Sequence, residues 1–326
     1  MKIVCLPGDG IGVEVTAAAQ EVLAVLVPDL ELEERLFGGA AILATGTPFP
    51  DETLAACRGA DAVLLGAVGL PRFDAADVRP EQGLIALRKA LDVYANLRPS
   101  RRGPVDLLVV RELVGGLYYG PKGTRADGTV FDTLEYHPSQ VERIAHRAFA
   151  IARGRRHRVT SVDKANVLET SRMWRQVVTE VAAQYSDVEL EHVLVDAAAM
   201  QLVSAPERFD VILTENTFGD ILSDEASAVT GGLGLAASAS LGDEGPGIFE
   251  PVHGSAPDIA GRGVANPAAM LRSAALMLEH GLGRPDEARR LDVAVDRALE
   301  RAPTPDLDGT ATTTDAVAAV LAELDR

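Results

Sequence analysis

The sequence of 326 residues contains only two cysteines, Cys5 and Cys57. Two cysteines are too few for a disulfide framework, so we expect a reducing, cytoplasmic environment. The chain also lacks an uninterrupted apolar run of the roughly 18 residues that a membrane-spanning helix requires. Met1 and Lys2 lead directly into a short strand-like run, and no signal peptide is recognisable. These absences argue against secreted disulfide-rich proteins and against membrane proteins.

Positive charge is scarce as well. The chain has 31 Lys and Arg against 48 Asp and Glu, a formal net charge of −17. So acidic a surface argues against nucleic acid or an anionic membrane as a partner. Only four of the basic residues are lysines, at positions 2, 89, 122 and 164. A lysine inside a polar motif, as Lys164 is, therefore draws interest.

Apolar runs with strand character alternate with segments of helical spacing, which predicts an α/β fold with a doubly wound sheet. The length suggests two domains or one large α/β unit. Lys2 to Leu6 is predicted as a buried strand, followed by a glycine turn and a helix from Val13. The glycines at 8, 10 and 12 give G-x-G-x-G, not the G-x-G-x-x-G of a dinucleotide fold, so we predict that this turn is not a Rossmann site.

Four irregular segments stand out. Residues 115–129 combine many glycines with adjacent tyrosines, which indicates a hairpin or projecting arm. Residues 153–158 form a basic run, interpreted as a solvated helix end, and 231–247 are interpreted as a crossing between lobes. Residues 250–267 are dense in turn formers and polar groups. This last segment is either a loop that wraps a cofactor or a plain surface loop.

Two carboxylates, Asp220 and Asp224, lie four residues apart in the predicted helix Phe-Gly-Asp-Ile-Leu-Ser-Asp. This spacing places both on one helix face, where like charges are destabilising unless a positive group lies between them. A hard divalent cation such as Mg²⁺ or Mn²⁺ is a natural partner for such oxygen ligands. A solvated acidic helix start is the alternative, and the apolar flanks make it less favoured.

Three arginines, Arg88, Arg98 and Arg111, lie at the ends of predicted apolar elements. A guanidinium matches a carboxylate bidentately, so these residues are candidate carboxylate clamps. Any one of them alone would be interpreted as an ordinary surface arginine.

Six motifs in order along nearly the whole chain resemble those of the β-decarboxylating dehydrogenases of 2-hydroxy acids, the isocitrate/isopropylmalate dehydrogenase family. They are Leu-Pro-Gly-Asp-Gly-Ile-Gly (6–12), Leu-Arg-Lys with Ala-Asn-Leu-Arg-Pro (87–99), Val-Arg-Glu-Leu with Gly-Gly-Leu-Tyr (110–118), Val-Asp-Lys-Ala-Asn-Val-Leu (162–168), Phe-Gly-Asp-Ile-Leu-Ser-Asp (218–224) and Glu-Pro-Val-His-Gly-Ser-Ala-Pro-Asp-Ile-Ala-Gly (250–261). The resemblance implies a two-lobed, non-Rossmann fold. Residues 1–98 and 231–326 would form a cofactor-binding lobe. Residues 99–230 would form a dimerisation and metal-binding lobe with a dimerisation arm at about 115–133.

The resemblance also implies residue roles and a homodimer with shared active sites. Asp220, Asp224 and the partner subunit's Asp196 would bind Mg²⁺ or Mn²⁺. Arg88, Arg98 and Arg111 would hold the substrate carboxylates, the partner subunit's Lys164 would act as base, and Tyr118 would act as acid. The cofactor would be NAD, held by the loop residues Glu250, His253, Gly254, Ser255, Ala256, Pro257, Asp258, Ile259 and Asn266. An acid at Asp258 would accept hydrogen bonds from the ribose hydroxyls and repel a 2′-phosphate.

Substrate choice rests on residues that match the family's pocket for a branched alkyl group, namely Glu81, Leu84, Ile85 and the partner subunit's Val167. Apolar Leu84 and Ile85 would leave an additional carboxylate unpaired, so the resemblance favours 3-isopropylmalate, oxidised and decarboxylated to 2-oxoisocaproate in leucine biosynthesis. The stretch between Arg98 and Asp106 is short, as in the homoisocitrate branch, which keeps homoisocitrate or another malate-type substrate as the alternative. A non-catalytic subunit of an isocitrate-dehydrogenase-like complex is a remote third hypothesis.

Overall fold

The computed structural model describes all 326 residues, with twelve strands and eleven α-helices. The strands are β1 (Lys2–Gly8), β2 (Glu31–Glu34), β3 (Ala62–Ala67), β4 (Ala95–Arg102), β5 (Val105–Glu112), β6 (Lys122–Thr124), β7 (Val130–Asp132), β8 (Arg158–Asp163), β9 (Glu189–Leu194), β10 (Val211–Thr214), β11 (Ala237–Leu241) and β12 (Gly247–Pro251). The helices are α1 (Gly12–Leu26), α2 (Gly38–Thr45), α3 (Asp51–Arg58), α4 (Pro80–Ala90), α5 (Pro138–Arg153), α6 (Glu169–Ala182), α7 (Val195–Ser204), α8 (Asn216–Thr230), α9 (Ala268–Leu276), α10 (Pro285–Arg301) and α11 (Thr313–Leu324). The predicted α/β alternation is confirmed.

None of the helices combines the length and the apolar character that crossing a membrane requires. Both cysteines are free and buried.

The chain divides into two compact units. Unit 1 combines Met1–Val93 with Leu233–Arg326, and unit 2 is Tyr94–Gly232. The functions assigned to residues 1–98 with 231–326, and to 99–230, stay predictions.

In unit 1 the strand order is β2-β1-β3-β12-β11, and only β11 runs antiparallel to its neighbour. Apolar side chains of β1, β3 and β12 such as Val4, Leu64 and Phe249 are completely buried. Their near-continuous apolar runs fit strands that are covered on both faces.

The glycine turn after β1 lets two backbones approach each other. Gly10 has φ +56°, and a Cβ there would lie 2.0 Å from the carbonyl oxygen of Ser255. The neighbouring Ile11 N–H donates to that same oxygen at 2.8 Å. Buried Asp9 accepts hydrogen bonds from the backbone N–H groups of Gly39, Ala40 and Gly69, each at 2.9 Å. The turn therefore organises the surrounding loops of unit 1, including the one that contains Ser255.

In unit 2 the strand order is β4-β5-β10-β8-β9, with β4 antiparallel to β5 and the other pairs parallel. Helix α5 packs on α6, and α7 packs on α8. One core beneath α7 and α8 contains Val109, Phe209, Ile212 and Leu222. The parallel strands β8, β9 and β10 all end at the same edge of the sheet, where α7 and α8 begin.

The predicted arm is a hairpin. Strands β6 and β7 pair in antiparallel register from Lys122 with Asp132 to Thr124 with Val130. Gly128 at the turn has φ +86°, and its N–H donates to the carbonyl of Arg125 at 2.9 Å. Val130 is 74% exposed, so the hairpin has almost no covering within its own chain.

Two interpretations of irregular segments were incomplete. The segment 231–247 contains β11, which pairs with β12 from Ala237 opposite Pro251. The basic run 153–158 is not simply a solvated helix end, because it surrounds Asp210, which is only 1% exposed.

Asp210 joins this run to β10. Its Oδ1 accepts from Arg155 Nε at 2.8 Å, and its Oδ2 accepts from the backbone N–H groups of Arg156 at 2.9 Å and Arg158 at 3.3 Å. A buried carboxylate is tolerated only with such partners. The run therefore ends α5 at the exposed Arg153 and also begins β8 at Arg158, with the turn between them held to β10 by Asp210.

We predict that Asp210→Ala lowers the free energy of unfolding by about 3 kcal/mol, because it leaves Arg155 Nε and two backbone N–H groups without their acceptor, while Arg155 Nη2 keeps Asp106. Urea unfolding followed by circular dichroism measures this. The matched control is Asp187→Ala, since Asp187 pairs with Arg153 of the same run but its side chain is 46% exposed. A similar small effect for both variants would contradict the structural role of Asp210.

Candidate functional site

Asp220 and Asp224 lie on helix α8, which begins directly after β10. Glu215 caps this helix, because its carboxylate accepts from the N–H groups of Phe218 at 2.7 Å and Thr217 at 3.1 Å. The side chains of Asp220 and Asp224 are 36% and 50% exposed. The helix face predicted to carry both carboxylates is therefore open to solvent in the single chain.

Two buried arginines approach these carboxylates from β4 and β5. Arg98 lies 3.2 Å (Nη1) from Asp224 Oδ1 and 3.4 Å (Nη2) from Asp220 Oδ1, and Arg111 Nη1 lies 2.5 Å from Asp220 Oδ1. Arg98 is 9% exposed and Arg111 is 2% exposed. Gly219 makes this approach possible, since a Cβ there would lie 2.6 Å from Arg111 Cγ. Two predicted clamp residues and two predicted metal ligands thus form one cluster.

Burial raises the pKa of Asp224, the Arg98 charge lowers it, and the neighbouring Asp220 charge raises it again. The net shift is upward, because the carboxylate is partly desolvated and faces a like charge. A divalent cation between Asp220 and Asp224 would relieve this repulsion.

Tyr118 joins the same cluster from the base of the arm. Its hydroxyl donates to Asp220 Oδ2 at 3.1 Å, and the Arg111 guanidinium lies 5.9 Å from the centre of its ring. Burial raises the pKa of the Tyr118 hydroxyl, and the negative charge of Asp220 raises it further. The phenol therefore keeps its proton at neutral pH and is able to donate it.

Lys164 and Asp196 form a separate pair at the ends of β8 and β9. Their side chains make an ion pair, and this hydrogen bond holds the pKa of Asp196 below its usual range. No three His, Cys, Asp or Glu side chains lie close enough together in this chain to hold a metal ion. The single chain therefore does not bring Asp196 to Asp220 and Asp224.

A buried Glu-Tyr-Glu network lies beneath the arginine cluster. Glu112 is completely buried and accepts from the N–H groups of Gly115 at 2.8 Å and Val114 at 3.2 Å. The Tyr136 hydroxyl bonds to Glu112 and lies 3.5 Å from Glu215 Oε2. Burial raises the pKa of Glu112 to about 7 and also raises the pKa of Glu215. The base of the arm and the start of α8 are therefore joined by two carboxyl groups whose pKa values are raised by burial.

In unit 1, the predicted cofactor loop leads from β12 to α9. Ser255 is buried against the glycine turn, and Asn266 is fixed by donating to Asp306 at 3.0 Å and accepting from the Ala268 N–H at 2.9 Å. His253 Nδ1 lies 2.9 Å from the Gly254 carbonyl, while its buried Nε2 has no hydrogen-bond partner. Burial lowers the pKa of His253, which favours the neutral ring. The remaining predicted residues Gly254, Pro257 and Asp258 are exposed, and Ala256 and Ile259 are half-buried.

Helix α4 carries the predicted pocket residues of unit 1. Arg88 Nη2 donates to Glu250 Oε1 at 2.8 Å, so the third predicted clamp residue is paired with a predicted cofactor residue. Ile85 is 41% exposed, Glu81 is exposed and Leu84 is half-buried. Val167, in unit 2, is 62% exposed. These apolar side chains are accessible to a ligand.

Several residues that accept hydrogen bonds from the arginines of the cluster were not predicted as site residues from the sequence. Asn96 Oδ1 accepts from Arg98 Nε at 2.8 Å, Ser223 Oγ accepts from Arg98 Nη1 at 2.8 Å, and Asn216 Oδ1 accepts from Arg111. Each lies inside or beside a motif that was noted for its charged residues. A buried arginine needs several acceptors, and the nearby Asn and Ser residues were the available signal.

We predict that Glu112→Gln flattens the pH dependence of stability between about pH 4.5 and 7. In this window the native Glu112 retains a proton that the unfolded chain releases, so stability falls as the pH rises toward 7. The stability of Glu112→Gln relative to the wild type should rise by about 3 kcal/mol across the window, since each pKa unit corresponds to about 1.4 kcal/mol. Urea unfolding at pH 5 and pH 7.5 measures the difference. The control is Glu142→Gln, at an exposed position on α5, and parallel pH profiles for Glu112→Gln and the wild type would contradict the prediction.

The chain matches the family model for isocitrate/isopropylmalate dehydrogenase over residues 2–320. It is 51% identical to the 3-isopropylmalate dehydrogenase of Bacillus cereus (strain ZK / E33L) over 342 aligned positions, with 99% of this chain and 97% of the relative covered. It is 53% identical to the 3-isopropylmalate dehydrogenase of Anaeromyxobacter dehalogenans (strain 2CP-C), with 94% and 95% covered.

Solved structures agree with this match. The fold resembles isocitrate dehydrogenase from Methylococcus capsulatus with a TM-score of 0.93, 39% identity and coverage of 100% of this chain and 99% of the other. It resembles a β-decarboxylating dehydrogenase from Thermococcus kodakarensis with a TM-score of 0.85, 36% identity and coverage of 99% and 96%. The family and the α/β fold predicted from the motifs are both confirmed. The chain belongs to the isocitrate/isopropylmalate dehydrogenase family.

Proposed function

We propose that this protein is an NAD-dependent enzyme that oxidises and decarboxylates 3-isopropylmalate to 2-oxoisocaproate, a step of leucine biosynthesis. The observation that carries the proposal is the convergence of Arg98, Arg111 and Tyr118 on Asp220 and Asp224. The chain is about half identical to relatives named 3-isopropylmalate dehydrogenase over nearly their whole length, which supports the same substrate.

The donor set of α8 fits a divalent metal. Two partly exposed carboxylates on one helix face are oxygen ligands of the type that Mg²⁺ and Mn²⁺ prefer. Asp220, Asp224 and the partner subunit's Asp196 would hold the ion. When bound, the ion would withdraw electron density from substrate oxygens, and NAD would accept the hydride.

The side chains of the cluster have complementary roles in this reaction. Arg98 and Arg111, with Arg88 of unit 1, would bind the malate carboxylates through paired N–H groups. The partner subunit's Lys164 would take the proton of the substrate hydroxyl as hydride leaves the carbon that carries this hydroxyl. Tyr118 would return a proton to carbon after CO₂ has left, since its raised pKa keeps the phenol protonated.

The loop after β12 fits a dinucleotide. The unpartnered, buried Nε2 of neutral His253 is an acceptor without a donor in the protein, which a bound ligand can supply. Asp258 is exposed and would accept from ribose hydroxyls while repelling a 2′-phosphate, which favours NAD over NADP. Ser255 and Asn266 hold the loop in place through the bonds described above.

The exposed faces of α7 and α8 support a homodimer with shared sites. On α7, Asp196 lies on the same face as Met200 (73% exposed) and Val203 (64% exposed), because the three are spaced i, i+4 and i+7. On α8, Ile221 is 60% exposed and lies beside Asp220. Burying these apolar faces against a second copy would stabilise a dimer and would place carboxylates of both protomers in one interface.

Homoisocitrate is the second candidate substrate. The observation that favours it is the tight connection between β4 and β5, where only Gly103 (φ +56°) and Pro104 separate the paired residues Arg102 and Val105. A non-catalytic subunit is disfavoured, because Tyr118, Lys164 and the three aspartates are all present.

We predict that the purified protein with Mg²⁺ reduces NAD with 3-isopropylmalate at a kcat/KM at least about 100-fold above that with isocitrate, since Leu84 and Ile85 would leave the additional carboxylate unpaired. Initial rates of NADH formation with 3-isopropylmalate, homoisocitrate, isocitrate, malate and tartrate measure this. NADP in place of NAD should give a much lower rate. A preference for homoisocitrate would favour the second candidate, and the absence of turnover with every substrate would refute the proposed function.

We predict that two inactive variants restore activity when they share a dimer. Lys164→Met removes the base and Asp220→Asn removes a metal ligand, so each homodimer should be inactive. In a heterodimer isolated with two affinity tags, one site combines the intact Asp220 of one protomer with the partner's intact Lys164, and about half of the wild-type kcat per dimer should return.

The matched control is the heterodimer of Lys164→Met with Asp196→Asn. Both changes lie in the half that a protomer contributes to its partner, so neither site is intact and no activity should return. An inactive Lys164→Met/Asp220→Asn heterodimer would show that each site belongs to one chain. A monomer in sedimentation velocity would contradict the homodimer itself.

A further inference from the structure

Asn216 is the first residue of α8 and is completely buried between the end of β10 and the base of the arm. Its backbone N–H donates to the Tyr136 hydroxyl at 3.0 Å. The capping of α8 does not require its side chain, because Glu215 already accepts from the N–H groups of Thr217 and Phe218. The side-chain amide is therefore available for other contacts.

The Asn216 amide makes four hydrogen bonds to two different parts of unit 2. Its Oδ1 accepts from Arg111 Nε at 3.0 Å and Nη2 at 2.7 Å. Its Nδ2 donates to the carbonyl oxygens of Leu113 and Gly115, each at 3.0 Å. These bonds use both acceptor positions and both donors of the amide, so only this orientation of the side chain satisfies all four partners.

Both contacts lead to groups that converge on Asp220. Holding the Nε and Nη2 side of Arg111 directs its Nη1 to Asp220 Oδ1. The backbone from Leu113 to Gly115 leads, three residues later, to Tyr118, whose hydroxyl reaches Asp220 Oδ2. Asn216 itself begins the helix that carries Asp220. One side chain therefore fixes the positions of an arginine, a tyrosine and a carboxylate relative to each other.

We infer that Asn216 is a positioning residue that acts on the substrate through Arg111 and on proton return through the arm base that carries Tyr118. This inference rests on the proposed function for the roles of Arg111 and Tyr118, and it adds a completely buried residue that acts through both of them. The two ends of the Asn216 amide have separate effects. The oxygen orients Arg111, and the NH₂ group orients the backbone that leads to Tyr118.

Two substitutions separate these halves. Asn216→Ala removes the acceptor and both donors, and should raise KM for 3-isopropylmalate and lower kcat, each at least about tenfold, because bonds to a charged group are lost in a buried place. Asn216→Asp keeps oxygen acceptors for Arg111 and removes the donors to Leu113 and Gly115. It should therefore keep KM within about threefold of the wild type while kcat falls about tenfold. KM for NAD should not change in either variant.

The matched control is Thr217→Ala, the next residue of the same helix turn, whose buried hydroxyl has no hydrogen-bond partner. It should leave kcat and KM near the wild-type values. A double-mutant cycle with Arg111→Lys tests the route through Arg111. If Asn216 acts through that residue, the double variant Arg111→Lys/Asn216→Ala should have nearly the same KM as Arg111→Lys alone.

Amide hydrogen exchange measured by mass spectrometry gives a readout that does not depend on turnover. Asn216→Ala and Asn216→Asp should both accelerate exchange in residues 113–118, and Thr217→Ala should not. Multiplicative KM effects in the cycle, or equal exchange in all four proteins, would overturn the inference. If the wild type were inactive on every substrate, the proposed function would fail, and the exchange comparison would still decide whether Asn216 holds the arm base.

Discussion

Two buried arginines of unit 2 pair with two carboxylates on α8, and the arrangement of the candidate site depends on this interaction. Arg98 and Arg111 are 9% and 2% exposed, and a buried guanidinium is tolerated only when its N–H groups meet acceptors. Asp220 and Asp224 supply charge, while the side-chain oxygens of three neutral residues supply further acceptors: Asn96, Asn216 and Ser223. The glycine of the Phe-Gly-Asp motif is required for the same contact, because any side chain at Gly219 would separate α8 from Arg111. A motif that draws attention through its aspartates therefore depends equally on its smallest residue.

The charges of the cluster cancel within one chain, and this limits which ligands the cluster can bind. Within one chain, Arg98 and Arg111 offset Asp220 and Asp224. A substrate with two carboxylates would leave the cluster with excess negative charge, and a divalent cation alone would leave it with excess positive charge. Because unbalanced charge is costly in a partly desolvated site, a cluster that binds either one keeps its neutrality only by binding the other as well. The cluster is thus suited to a dianionic acid in company with a divalent metal, which agrees with the proposed chemistry.

The sequence predicted the parts of this site that local spacing encodes. The placement of the i, i+4 aspartates on one helix, the hairpin arm and the buried strand β1 all follow from patterns of a few residues. The roles of Lys164 and Tyr118 came from resemblance and not from spacing. Contacts between distant positions could not be foreseen, because no local pattern distinguishes Arg155, paired with Asp210, from any other arginine of a basic run. The same holds for Arg88 and Glu250, which are 162 positions apart, and for Glu112 and Tyr136. Local patterns also do not mark the beginning of helix α7, because β9 passes into it with no glycine, proline or capping side chain between them.

The pairing of Lys164 with Asp196 bears on how a shared site would assemble. Both residues belong to the half that a protomer is proposed to give to its partner, and in the single chain they already neutralise each other. The arginine cluster is likewise neutral without its partner. In the proposed dimer, each half would therefore reach the interface without net charge, so association would not have to overcome repulsion between like charges or bury an uncompensated one. Apolar contact through Met200, Val203 and Ile221 can then supply most of the binding free energy, and the charged groups set the alignment of the two halves. In the proposed dimer, the ion pairs within each chain would permit a highly charged site to lie in an interface that also buries these apolar side chains.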